Sequence, residues 1–135
     1  MEKNLIIKMI DEAIEGRKNS YSPYSKFKVG AAILFKDGKV IRGCNIENAS
    51  YGLTNCAERT AMFKMVSEGY SENDVVCMSV VGQTEGPISP CGACRQVMCE
   101  LIGLNTPVIL ANLNYDYKEY LVKDLMPYAF TEEDL

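Results

Sequence analysis

The chain has 135 residues, is 47% hydrophobic, carries 14 basic against 18 acidic residues for a formal net charge of −4, and contains six cysteines but no histidine. That length and apolar content fit one domain over 1–135 with its own core, while the mild acidity and the lack of a basic tract exclude an electrostatic footprint for polynucleotide. No 18 apolar residues run together, and Asp11 and Glu12 break the amino-terminal apolar patch with no small-residue cleavage site behind it, so neither a membrane span nor a secretory leader is expected and the protein reads as cytoplasmic.

In chain order, Leu5, Ile6, Met9, Ile10, Ala13 and Ile14 recur at helical spacing and predict an amphipathic helix from about Lys3 to Asn19. Turn formers follow, and Lys28 to Phe35 then reads as a largely buried strand. Lys36-Asp37-Gly38-Lys39 supplies an Asp-Gly hairpin turn into a second strand, Val40 to Asn45. After a loop at Asn48–Leu53, a helix from Cys56 to about Glu68 presents Ala61, Met62, Met65 and Val66 as its apolar face and stops at Gly69. Val75 to Val81 is a buried strand, Gly82 to Pro90 a loop, and Cys91 to Ile102 a helix closed by Gly103. Pro107 to Leu113 forms a fourth strand, Asn114 to Tyr117 a turn, and Lys118 to Val122 a short fifth strand. A hairpin followed by strands alternating with helices implies an α/β fold: a mixed five-stranded sheet with helices packed on it.

The cysteines carry the chemistry. Their number is even, but their clustering suits metal ligation better than a disulfide framework. Cys91 and Cys94 make a clip at a helix start, and Cys56 offers a third thiolate from a separate segment. Cys44, Cys77 and Cys99 read as buried small hydrophobes, and Cys99 lies about 140° around an ideal helix from Cys94, off the ligand face. Zinc takes four tetrahedral ligands, and a catalytic site leaves the fourth position to water. Without histidine, thiolates alone must serve. Bound zinc lowers the pKa of its water towards neutrality, and Glu58, two residues after Cys56, can take up the proton. Three thiolates against one dication leave a formal charge of about minus one. Helix N-termini favour thiolates, and Arg59 and Arg95 are placed to donate hydrogen bonds to sulfur.

Plainer readings stand beside these. Asn55 with Glu58 also fits a helix N-cap with a capping box, Thr54 being a second capping candidate. A lone Cys-x-x-Cys is also common as a structural zinc clip or a redox pair.

The segment Gly43-Cys44-Asn45-Ile46-Glu47-Asn48-Ala49-Ser50-Tyr51, running into Cys56-Ala57-Glu58-Arg59 and later Pro90-Cys91-Gly92-Ala93-Cys94-Arg95, resembles the small homotetrameric zinc-dependent cytidine deaminases. The likeness extends from about Tyr21 to Phe130. It implies a three-layer α/β/α cytidine-deaminase-like fold, one Zn²⁺ per subunit on Cys56, Cys91 and Cys94, Glu58 as the catalytic acid and base, and hydrolytic deamination of free cytidine and 2′-deoxycytidine in pyrimidine salvage. By the same resemblance Phe27 lines the pyrimidine pocket, Asn45 and Glu47 hold the ribose 3′-hydroxyl, and the backbone N–H of Ala57 binds the base. Ala49 and Tyr51 then contact the substrate of a neighbouring subunit, which implies a homotetramer. A buried carboxylate at Glu47 would repel a 3′-phosphate, favouring a free nucleoside over a nucleic-acid strand. Read without the resemblance, Phe27 is a core aromatic and Glu47 a solvated loop residue.

Leu125-Met126-Pro127-Tyr128-Ala129-Phe130 resembles the family's Leu-Leu-Pro-Gly-Ala-Phe segment, whose Phe closes over a pyrimidine; Tyr128 stands in place of glycine and Met126 in place of leucine. Deaminases of nucleotides, guanine or nucleoside antibiotics of the blasticidin type share the metal motif. So, in part, would a non-catalytic zinc-stabilised binding module, for which no fourth Cys or His has suitable spacing. A polynucleotide editor would need a basic groove with interleaved aromatics.

Overall fold

Strand β1 (Val29–Phe35) is buried at all seven positions, and its alternate side chains feed two different cores. Val29, Ala31, Ile33 and Phe35 enter one apolar cluster, Ala32 and Leu34 another. The same alternation runs through β3 (Val75–Gly82), where Met78 and Val80 face one side and Cys77 and Val81 the other, and through β4 (Pro107–Asn112), where Val108 and Leu110 oppose Ile109 and Ala111. Strands buried on both faces need cover on both. Helix α1 (Lys3–Arg17) covers one face with Ile6, Met9, Ile10 and Ala13. Helices α2 (Ala57–Ser67) and α3 (Gly92–Leu101) cover the other with Ala61, Met62, Met65, Met98 and Cys99. The computed structural model describes every residue, Met1–Leu135.

The sheet order is β2-β1-β3-β4-β5, with β2 (Val40–Cys44) and β5 (Tyr117–Leu121) at the edges. Only β3 and β4 run parallel; the other neighbours are antiparallel. This is the mixed, three-layer arrangement expected from the sequence, with element ends displaced by one or two residues. The β1–β2 turn has the expected chemistry: Gly38 adopts φ 92°, and the Lys39 N–H donates to Asp37 Oδ1 at 2.9 Å. A single helical turn, α4 (Val122–Leu125), follows β5 and was not anticipated. Of the three cysteines expected in the core, Cys77 and Cys99 are buried and Cys44 is only half-buried, since it ends an edge strand.

Two glycines bring helix and sheet backbones together. A Cβ at Gly30 would stand 2.0 Å from the Ala13 carbonyl oxygen on α1, and one at Gly43 would stand 2.5 Å from that of Ala57 and 2.6 Å from the Ala61 nitrogen on α2. Gly43 therefore seats the first turn of α2 directly on β2. No helix is long and apolar enough to cross a membrane.

Candidate active site

Cys56 is the N-cap residue of α2 and Cys91 that of α3, so two packed helices deliver sulfur from their N-termini. Cys94 follows in the first turn of α3. The three Sγ atoms lie within 4.8 Å of one another, with Cys56 and Cys91 at 3.8 Å and Cys91 and Cys94 at 3.3 Å. A tetrahedron with zinc–sulfur bonds of about 2.3 Å has edges of about 3.8 Å, which this spacing approaches. Hydrogen bonds from Cys94, and then from Arg59 and Cys91, hold the Cys56 thiol down to about 5 against its partial burial. The same pairing with Cys56, reinforced by burial, pushes Cys94 up. The sulfurs therefore hold one negative charge readily and resist a second, and a bound dication would offset that repulsion. All-sulfur donors at this spacing fit zinc. Cys99 takes no part.

The capping reading of Asn55 and Thr54 is not realised. Cys56, with φ −75° and ψ 158°, occupies the N-cap position without a side-chain cap bond. Asn55 instead exchanges both backbone hydrogen bonds with Ile46, and Thr54 Oγ1 accepts from the Asn48 N–H at 3.2 Å. Glu58 is thus released from capping. It lies in the first turn of α2 at 4% exposure, and burial pushes its carboxyl up to about 7, the charge on Cys56 adding to the push. Its own backbone N–H, the Cys94 thiol and Arg59 offset part of that shift, so the carboxyl faces the sulfur cluster and not solvent.

Arg59 Nη2 donates to Cys56 Sγ at 3.4 Å, and that bond to sulfur is the main reason its charge is held more firmly than usual. Its Nε is buried without a partner. The parallel expectation for Arg95 is corrected. Its Nε donates to the Pro90 carbonyl at 2.9 Å and its Nη1 to the Leu125 carbonyl at 3.0 Å, so it braces the loop that carries Cys91 and donates no hydrogen bond to sulfur.

Asn45 and Glu47 are buried while Ile46 between them is exposed, the alternation of extended chain. Glu47 is no solvated loop residue: Ser25 Oγ and the N–H groups of Ser25 and Tyr24 all donate to it, and the Ser25 hydroxyl is the chief cause holding its carboxyl below the ordinary range. Asn45 is pinned between the Phe27 carbonyl and the Val29 N–H. Phe27 is not a core aromatic either. It is 40% exposed, and its ring edge stands 3.2 Å from where a Cβ on Gly82 would be. Ala57 is fully buried at the start of α2, where the backbone N–H has no intrahelical acceptor. Ala49 sits on an exposed bend, and Tyr51 opens an exposed one-turn 3₁₀ helix, Tyr51–Leu53, within the expected loop.

None of Cys56, Cys91 and Cys94 lines the cavity that Phe130 borders. Phe130 shares it with Glu72, Cys99, Glu100 and Leu104, and its carbonyl accepts from Gln96 Nε2 at 2.6 Å. Tyr128 adopts φ 57°, the conformation for which glycine is suited, so the turn before Phe130 is made despite the side chain. Sequence reasoning missed Ser25 and Gln96. The only local signal for Ser25 is the Ser-x-Phe spacing, which allows its hydroxyl to accept from the Phe27 N–H at 3.0 Å.

Comparison with known proteins bears on this geometry. Residues 3–110 match the family model described as the cytidine and deoxycytidylate deaminase zinc-binding region. The chain is 58% identical over 135 residues to a cytidine deaminase of Halalkalibacterium halodurans, covering 100% of this chain and 98% of that one. It is 53% identical over 128 residues to a cytidine deaminase of Sporosarcina psychrophila, covering 95% and 93%. The crystal structure of a cytidine deaminase from Burkholderia pseudomallei superposes with a TM-score of 0.90 at 50% identity, covering 96% of this chain and 100% of that one.

Proposed function

The chain belongs to the cytidine and deoxycytidylate deaminase family, and from that premise we propose that residues 1–135 form one deaminase domain that hydrolyses free cytidine and 2′-deoxycytidine to the uridines and ammonia. The observation that carries this reading is the buried Glu58 carboxyl beside Cys56 and Cys94, two of three sulfurs that lie within 4.8 Å of one another. Cys56, Cys91 and Cys94 would hold the zinc, which when bound supplies a water acidified towards neutral pH.

Glu58 does the proton work. It takes a proton from the attacking water and delivers it to ring N3 as the new C4–O bond forms. It then moves the remaining hydroxyl proton to the 4-amino group, the C4–N bond breaks, and ammonia leaves as C4=O forms. A carboxyl raised to about 7 suits a group that must both accept and give a proton near neutrality. Arg59 stabilises the Cys56 thiolate and Arg95 steadies the loop bearing Cys91. The Ala57 N–H and the Phe27 ring receive the pyrimidine, and Asn45 and Glu47 take the 3′-hydroxyl.

Phe27, Ile46, Tyr51 and Leu53 are exposed apolar side chains near these groups, Tyr51 at 76%. Their exposure supports a homotetramer in which Ala49 and Tyr51 complete a neighbour's site; light scattering that finds an active monomer would exclude it. Pyrimidine salvage in the cytoplasm is the corresponding role. The direct test measures zinc content and ammonia release from cytidine on one preparation. About one zinc per chain with turnover is the expected result, and a zinc-loaded protein that leaves cytidine intact overturns the reading.

A further inference from the structure

The two polar side chains beyond β2 are almost fully committed to the protein itself. Glu47 Oε1 accepts from the N–H groups of Tyr24 at 3.0 Å and Ser25 at 3.1 Å, and Oε2 accepts from the Ser25 hydroxyl. A carboxylate offers about four acceptor positions, so one remains, on Oε2. Asn45 Oδ1 accepts from the Val29 N–H at 3.0 Å and from the Ser20 hydroxyl, while Nδ2 gives one N–H to the Phe27 carbonyl at 2.7 Å. About one amide N–H is left over. One free acceptor and one free donor, on side chains that extended backbone sends to the same face, complement a single hydroxyl group.

Ser25 fixes that count. Its Oγ donates to Glu47 and accepts from the Phe27 N–H at 3.0 Å, so one hydroxyl joins the residue placed at the sugar to the residue placed at the base. The next residue, Lys26, has φ 60°, a conformation that a lysine keeps only where its surroundings hold it.

We propose that Ser25 is a specificity-determining positioning residue: its hydroxyl occupies one acceptor position of Glu47 Oε2 and orients the carboxylate, so that the Asn45–Glu47 pair selects nucleosides carrying a 3′-hydroxyl that both donates and accepts. This rests on the functional reading above. A nucleoside without the 3′-hydroxyl leaves both groups unpaired, and a 3′-phosphate dianion brings acceptors and negative charge but no donor.

The test compares kcat/KM for cytidine with that for 2′,3′-dideoxycytidine in wild type, Ser25→Ala and Ser25→Thr. The ratio of the two cancels any general effect on the loop. In Ser25→Ala the ratio falls by about 10-fold, through KM for cytidine more than through kcat, as expected for one hydrogen bond to a charged group; Ser25→Thr, which keeps the hydroxyl, restores it. An unchanged ratio in Ser25→Ala, or an equal fall in Ser25→Thr, overturns the proposal. Ser25 is exposed, so alanine opens no core. Should Ser25→Ala nonetheless fail to fold, Ser25→Cys, with its weaker donor, is expected to give an intermediate ratio, and a wild-type ratio there overturns the proposal equally. A zinc-loaded wild type that does not deaminate cytidine removes the functional reading and this inference with it, whereas an active wild type with an insensitive ratio removes Ser25 alone.

Discussion

Glu58 and Glu47 are both buried, at 4% and 9% exposure, yet their protons behave in opposite ways. Burial raises Glu58 to about 7 because little around it stabilises the anion beyond its own N–H, a thiol and a neighbouring arginine. Glu47 is lowered because one hydroxyl and two backbone N–H groups converge on it. The burial is deep around the Glu58 carboxyl and shallow around that of Glu47, where hydrogen bonds outweigh the smaller penalty on the charge. The first carboxyl is left able to exchange a proton, and the second is kept as a fixed acceptor.

Substitution by glutamine separates the two most sharply. Glu58→Gln removes the exchangeable proton; kcat for cytidine falls by about 10³-fold or more while zinc stays bound, read by ammonia release and metal analysis. A variant that keeps most of its turnover would erase the distinction. Glu47→Gln keeps the shape and loses the anion; KM for cytidine rises roughly 10- to 100-fold with a much smaller change in kcat. If kcat collapsed instead, Glu47 would belong with Glu58.

Gly43→Ala strikes first at the scaffold of the Glu58 side, since its Cβ would meet the Ala57 carbonyl and the Ala61 nitrogen on α2. Chemical denaturation should show a loss of about 1–3 kcal/mol, with kcat falling more than the 3′-hydroxyl selectivity. The smallest effect is one of pH. Because the Glu47 carboxyl is lowered in the folded protein from its ordinary 4.5, its contribution to stability is present above that value and is lost as pH falls through the folded one. The difference in thermal midpoint between wild type and Glu47→Gln should therefore narrow below about pH 4.5; a difference constant down to pH 3 would mean that Glu47 gains nothing from its ionised form.

The sequence exposed these two regions unequally. Cys56-x-Glu58 and Pro90-Cys91-x-x-Cys94 are compact because a helix N-terminus presents neighbouring residues together, and helix starts leave local marks. The sheet was legible for a related reason: strands buried on both faces read as continuous apolar runs. The Glu47 region was legible only as a resemblance. Its bonds join residues 22 and 23 positions apart, and they come from a loop whose next residue, Lys26, holds a left-handed conformation that no local pattern announces. The capping alternative for Asn55 has only its spacing to Glu58 behind it; in the fold, pairing with Ile46 uses its backbone and the cysteine after it takes the capping position. Arg95 misled, since carbonyl oxygens at Pro90 and Leu125 compete for a guanidinium that sequence places beside sulfur. The turn at Val122–Leu125 is too short to carry a period.

Arg95 grips Pro90 with one nitrogen and Leu125 with another, and Gln96 beside it holds the Phe130 carbonyl. The carboxyl-terminal stretch is consequently no detachable appendage: trimming it, cleaving it or loading it with a bulky fusion would pull on the same short rod that presents Cys91 and Cys94.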